Sequence, residues 1–236
     1  FVFDFDGPSM AVNTSCASAL SALHFAAESI RRGECDAAIV GGVNLLSHPY
    51  HARMLADLGL LSKDGRACPL SSEASGCAPG EGAGAVLLKA RPAAERDGDT
   101  IHALIQASAI GHSGRSMRYG APHMQRQAQH LRRLLSIAGL APADVDYIDP
   151  AAPVASLPDA AEMHAAQAVV GQSGRTAPCR VGTVKGNIGH LESASGMSQL
   201  AKVLLQLRHG AFAPSLHSEP RNPLIAFDEG TLSVVA

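Results

Sequence analysis

The chain has 236 residues, 46% hydrophobic and 17% charged, with a formal net charge of −2. That composition is globular rather than disordered, and its scattered lysines and arginines leave no electrostatic footprint for nucleic acid. No apolar run approaches the ~18–20 residues of a membrane span, and no signal or transit peptide is visible, so the expectation is a cytoplasmic protein with no membrane partner.

The five cysteines, Cys16, Cys35, Cys68, Cys77 and Cys179, are odd in number and never spaced C-x-x-C. This argues against a disulfide framework or a zinc site and for a reducing compartment.

In chain order, Ser9–Asn13 reads as a short strand, followed by a helix from about Ala17 to Arg32. That helix places Leu20, Leu23, Ala27 and Ile30 on one face and stops at Gly33. "DAAIVGGVN" (36–44) is a continuous apolar strand of the kind buried on both faces. A helix around His48–Leu58 leads into a polar loop, "SKDGRACPLSSEASGCAPGEG", and two strands, Gly84–Ala90 and Ile101–Ile110. An amphipathic helix over 121–140 ends at Gly139, and a strand follows at 145–149. A helix over 159–170, a strand at 180–183 and a long helix over 190–210, closed by Gly210, complete the pattern. Strands alternate with helices and hairpin signals are few, which argues an α/β fold forming one domain or part of one.

Two segments concentrate chemistry. Cys16 lies between a β-like segment and a helix whose first turn is "CASALSA". A sulfur at a helix N-terminus meets unpaired N–H groups and the positive end of the dipole, which favour thiolate. Small neighbours, Ser15, Ala17, Ser18 and Ala19, leave room for an acyl chain. The other reading of Cys16 is a buried structural thiol. The second segment, "VGTVKGNIGHLESASG" (181–196), crowds Lys185, Asn187, His190 and Glu192 into one loop. A helix-terminal histidine there can act as acid or hydrogen-bond donor, with a Lys–Glu pair fixing its setting. A capping loop with solvated charges is the alternative. "GEGAGA" (80–85) lacks the spacing and context of a phosphate-binding loop and reads as a tight turn. The histidines form no H-x-x-x-H pair, so no metal site is expected.

Taken together, "GPSMAVNTSCASALSALHFAAESIRRGECDAAIVGGVNL", "GLLSKDGRACPLSSEASGCAPGEGAGAVLLK" and "VGTVKGNIGHLESASGMSQLAKVLL" resemble the β-ketoacyl synthase family, in particular ketosynthase domains of modular polyketide synthases. The resemblance implies a thiolase-like fold, two βαβαβαββ halves stacked in five layers, usually as a homodimer. Residues 1–236 would be one partial domain holding the central and C-terminal part of it. The resemblance further implies that Cys16 takes an acyl chain from a carrier-protein 4′-phosphopantetheine, with the domain binding no cofactor of its own. Lys185 and His190 correspond to the family's lysine and second histidine, with Asn187 and Glu192 in support. Acyl carrier proteins and other polyketide synthase domains are the implied partners, in antibiotic-type biosynthesis.

One stretch departs from the family. Aligned on Tyr147-Ile148-Asp149 upstream and Leu157, Asp159 and Glu162 downstream, the family's "HGTGT" motif becomes Ala151-Ala152-Pro153-Val154-Ala155. The first family histidine is Ala151. A phenylalanine and acidic residues usual in the neighbouring loop are Leu70, Ser71 and Ser75. Losing one group that stabilises developing negative charge typically costs about 10²–10³ in rate, whereas acyl transfer onto a cysteine demands less. The expectation is therefore a non-elongating ketosynthase of the type found in trans-acyltransferase systems. The alternatives are an inactive scaffold that docks carrier proteins, and residual condensation. The chain is also expected to lack the family's N-terminal portion and its C-terminal "GFGGTNAH"-like turn, and so to fold poorly alone.

Overall fold

The computed structural model describes residues 2–116, 122–171, 175–227 and 231–236. Its first packed group is built from helix α1 (Ser18–Arg31), strand β1 (Ala37–Asn44), helix α2 (Pro49–Asp57) and strand β2 (Gly82–Lys89). A short helix α3 (Arg91–Asp97) follows. The second group comprises α4 (Met124–Ala138), β3 (Tyr147–Ile148), α5 (Ser156–Val170), β4 (Cys179–Val181) and β5 (Leu232–Val234). Between β4 and β5 run the single turn α6 (Lys185–Ile188) and the long α7 (Ser195–His209).

Helix α1 forms from an Ala/Leu-rich run with one β-branched residue, Ile30, and ends where Gly33 takes φ 72°. Its buried face is Ala19, Leu23 and Ala27, and the first two make the first core with Val40 and Met197. Leu20 is 44% exposed instead of joining that face. The same left-handed glycine stop closes α4 at Gly139 and α7 at Gly210, where the sequence places both ends. Helix α3, absent from the sequence reading, carries the corresponding signals, a proline in its first turn and Gly98 in the left-handed region.

Strands β1 and β2 pair antiparallel in a two-stranded ribbon, with Gly42 opposite Gly84 and Ile39 opposite Leu87. The expectation that 36–44 is buried on both faces is corrected here. Burial alternates, because α1 and α7 cover only the inner face, and Ile39 and Val43 on the outer face are 62% and 56% exposed. "GEGAGA" is likewise corrected from a tight turn, since residues 82–85 lie within β2. Glycine is there for close approach. A Cβ at Gly84 would stand 3.1 Å from Met197 Cβ, and one at Gly42 3.0 Å from Met197 Cγ.

In the second group β3, β4 and β5 run parallel in that order. Helix α5 is buried on opposite sides. Met163, Ala166 and Val170 enter the sheet core with Leu70, Val181 and Leu232, and Ala165 and Val169 pack on Ala128 of α4. The strands expected at Ser9–Asn13 and Ile101–Ile110 are not strands: both runs lack regular structure, having no ladder partner among the described residues. The helix expected over 121–140 starts at Met124, its first expected residue lying outside the described set.

Candidate active site

The residues singled out in the sequence converge where the start of α1, the 188–196 turn and the 77–80 segment meet. Cys16 sits just ahead of the α1 N-cap, Ala17. The turn before it is tight. Ser18 Oγ accepts the Thr14 N–H at 3.0 Å and donates to the Ser15 carbonyl at 2.6 Å, while Thr14 Oγ1 lies 2.8 Å from Ser21 Oγ. Ser15 is forced to φ 52°, a conformation L side chains seldom adopt, and the turn leaves Cys16 exposed. Ser15 and Ala17 leave an open approach, as expected, but Ser18 and Ala19 are buried in the turn and the first core.

Desolvation pushes the Cys16 pKa up, Glu192 adds to the rise, and Lys185 and a backbone hydrogen bond oppose it. Burial and the Glu192 charge thus act against the thiolate, and Lys185 acts for it.

His190 is 8% exposed and does not open the long helix, correcting the expectation for 190–210. Lys185–Ile188 makes one turn, Gly189 reverses the chain at φ 77°, and α7 begins at Ser195. A Cβ on Gly189 would collide with the Ala78 carbonyl. That reversal lets His190 form a ladder with the 77–80 segment: its N–H donates to Ala78 O at 2.8 Å and its carbonyl accepts from Gly80 N–H at 3.0 Å. The ring Nδ1 accepts the Glu192 N–H at 2.9 Å, so the neutral ring carries its proton on Nε2. Burial, helped by Lys185 and against Glu192, lowers its pKa to about 4. His190 is thus a neutral N–H donor throughout the physiological range.

Lys185 is 3% exposed. Burial pulls its pKa down against Glu162, Asp149, Cys16 and Asp159, in that order. Glu192 serves differently from the expected Lys–Glu pair: its Oε1 meets His51 Nε2 at 2.6 Å, tying the turn to α2. Asn187 is exposed, and its backbone N–H donates to Val184 O. Sequence reasoning missed His51, which lines an open groove with Leu45, Ser47, His48, Tyr50 and Met54. It also gave Glu162 no role.

Glu162 holds the departing loop. Its carboxylate accepts the N–H groups of Ala151 and Ala152 at 2.7 and 2.9 Å, which offsets part of the desolvation that raises its pKa. Asp159, fully buried, accepts from Leu70 N–H at 3.0 Å and Ala155 N–H at 3.2 Å, and burial raises its pKa to about 6. Gly76 N–H donates to Val154 O at 3.0 Å, and Ser75 bridges Ala155. The two stretches that depart from the family, 70–75 and 151–155, are therefore in direct contact. Ala152 has φ 36° and Val154 φ 62°. These are the second and fourth positions of the five-residue motif, where the family carries glycine.

Comparison with known proteins gives the family. Residues 1–94 match the Beta-ketoacyl synthase, N-terminal domain, and residues 102–219 the Beta-ketoacyl synthase, C-terminal domain. The chain belongs to the β-ketoacyl synthase family and has its thiolase-like fold. It is 45% identical over 227 residues to polyketide synthase ThaG of Burkholderia thailandensis and 42% identical over 232 residues to PksL of Bacillus subtilis. These alignments take in 95% and 98% of this chain but 4% and 5% of those proteins. The oxazolomycin ketosynthase domain OzmH KS7 of Streptomyces albus JA3453 superposes with a TM-score of 0.95 at 43% identity, over 98% of this chain and 41% of that one. The ketosynthase from module 6 of the Bacillus subtilis bacillaene synthase also gives 0.95, at 31% identity and 41% coverage of that chain.

Proposed function

We propose that this chain carries the acyl-accepting centre of a non-elongating ketosynthase domain in a polyketide synthase. An acyl chain arrives as a carrier-protein phosphopantetheine thioester and leaves on another carrier with its length unchanged. Cys16 loses its proton as its sulfur attacks the thioester carbonyl. Nε2–H of His190 and the N–H groups opening α1 are the donors available to the oxyanion. The carbonyl–sulfur bond to pantetheine then breaks, and the departing thiolate takes a proton. Thioester is exchanged for thioester, so no cofactor of the domain's own enters the scheme.

Condensation asks for more, because decarboxylation leaves an enolate that the family stabilises with two imidazoles. The observation that carries the reading is the 151–155 loop. Its backbone is still gripped by Glu162 and still bent as the glycine motif requires, yet the side chain at its head is the methyl of Ala151. The histidine frame persists without the histidine.

The test uses the intact domain as wild type, Cys16→Ala and Ala151→His. An acylated carrier protein is offered, then a malonylated one, and protein-bound acyl groups and extended products are followed by intact mass. Acylation at Cys16 with onward transfer and no extension is expected. Ala151→His should restore extension only weakly, because the contacting 70–75 stretch has changed as well. A wild-type domain that extends its acyl chain would overturn the proposal, and one that Cys16 never acylates would instead be a scaffold.

A further inference from the structure

His51 has no task in the mechanism above, yet it touches the turn that carries His190. It lies in the first turn of α2, on the wall of the open groove. That turn is anchored at both ends. His48, the N-cap, accepts the Tyr50 N–H on its ring Nδ1 at 3.0 Å, and Leu55 is buried one turn further on. From there His51 Nε2 meets Glu192 Oε1 at 2.6 Å, with both side chains partly covered. A carboxylate only accepts, so the imidazole supplies the proton of that bond. Glu192 stands at φ 42°, where L side chains are seldom found. In that conformation its backbone N–H reaches His190 Nδ1 at 2.9 Å. Ser195 Oγ, at 3.5 Å, is the other polar partner of that nitrogen among the described residues. The next residue ties the turn to β1, where Ser193 Oγ donates to Val43 O at 2.6 Å. The turn after His190 is thus held from β1 and from α2, and the hold from α2 is His51.

We infer that His51 is a positioning residue of the acyl-transfer centre. Its Nε2–H holds the Glu192 side chain, and with it the left-handed backbone whose N–H keeps the proton of His190 on Nε2. Without that bond Glu192 relaxes out of the left-handed region, and the His190 ring loses the donor that decides its tautomer. The same bond fixes the carboxylate whose charge opposes the Cys16 thiolate. His51 therefore acts on the chemistry through Glu192. The consequence for acyl transfer rests on the reading of Cys16 and His190 given above, whereas control of the tautomer does not.

The intact domain, with its histidine rings labelled with nitrogen-15, is compared as wild type, His51→Leu and His51→Gln by long-range proton–nitrogen NMR at neutral pH. The His190 signals are assigned by their absence from His190→Gln. Wild type should show a protonated Nε2 and a bare Nδ1, the pattern of a single tautomer. In His51→Leu the two nitrogen shifts should move toward each other as the tautomers mix. His51→Gln, whose amide N–H can replace the ring donor, should keep the wild-type pattern. Acylation of Cys16 from an acyl N-acetylcysteamine thioester is then followed by intact mass. His51→Leu should lower its maximal rate by about tenfold, less than the ~10²–10³ of losing an oxyanion donor outright. The thioester concentration giving half that rate should change far less, and His51→Gln should recover most of the loss. A His190 that stays a single Nε2–H tautomer in His51→Leu would overturn the inference, as would a folded His51→Gln that loses the wild-type pattern. Failure of wild type to acylate would overturn the acyl-transfer reading and leave the tautomer result as it stands.

Discussion

At Cys16 a local cue and the surroundings pull in opposite directions. The helix start favours thiolate, whereas desolvation and Glu192 raise the thiol pKa against Lys185, so alkylation by iodoacetamide should keep accelerating above pH 9 where an ordinary thiol begins to level off. His190 and Asp159 make opposite pH statements. His190 falls to about 4 in the folded state, so native protein binds fewer protons than unfolded between about 4 and 6.5. Its contribution is complete above about 6.5 and is lost as pH falls toward 4, roughly 3 kcal/mol in all. Asp159 rises to about 6, so its contribution is present below about 4 and is lost as pH rises through 6, again by roughly 3 kcal/mol. The two slopes nearly cancel in that window. In His190→Gln the opposing histidine slope is gone, and Asp159, joined by Glu162 and Asp149, whose pKa values burial also raises, should make the unfolding free energy decline from pH 4 to 6 in urea titrations. Val154 tests the inherited loop. It is completely buried at φ 62°, so Val154→Gly releases about 1–3 kcal/mol of strain while giving up about 1.5–3 kcal/mol of burial. The net change should stay within about 1 kcal/mol, whereas Val181→Gly in β4 releases no such strain and should cost about 3 kcal/mol by denaturant midpoint.

Among the elements, the ribbon and its helices depend on glycine for distance. Gly42 faces Met197 and Ala19, while its neighbour Gly41 points outward with nothing nearer than the Gly84 carbonyl at 3.7 Å. Gly42→Ala should therefore destabilise the domain by about 1–3 kcal/mol through overpacking. Gly41→Ala, one residue away on the other face, should be close to neutral in the same denaturation assay. The contrast follows from the two-residue period of a strand. The 188–196 turn works on the same terms, since His190 reaches the 77–80 segment only because Gly189 reverses the chain and keeps clear of Ala78.

At the scale of the molecule, an apolar surface is left open. The outer ribbon face presents Ile39, Val43 and Leu87, the last 68% exposed, and no third strand flanks either edge among the described residues. A sheet with an apolar outer face and free edges associates. Residues 1–236 expressed alone should form concentration-dependent oligomers in size-exclusion chromatography. Ile39→Lys with Leu87→Glu, which face each other across the ribbon, should shift them toward monomer. A monodisperse, cooperatively melting wild-type chain would contradict this. The open face also agrees with the length comparison, in which the chain spans about two-fifths of the solved ketosynthase chains it resembles.

What the sequence determined by itself was local or motif-borne. Alanine-rich runs and glycine stops place α1, α4, α5 and α7 within a few residues, except that α7 starts five residues later than read. The motifs around Cys16, Lys185 and His190 declare the family, and Ala152 and Val154, aligned with the family's two motif glycines, take positive φ. Tertiary structure decided the rest, because it depends on which surfaces meet. Burial and the Glu192 charge push the Cys16 pKa up, and a neighbour 141 residues away turned Glu192 toward His51. Two drifting loops, separate in the chain, proved to share Asp159, whose carboxylate accepts from Leu70 N–H and Ala155 N–H. Charge, solvent and steric contact act through space, and sequence spacing records only the part of them that lies within one element.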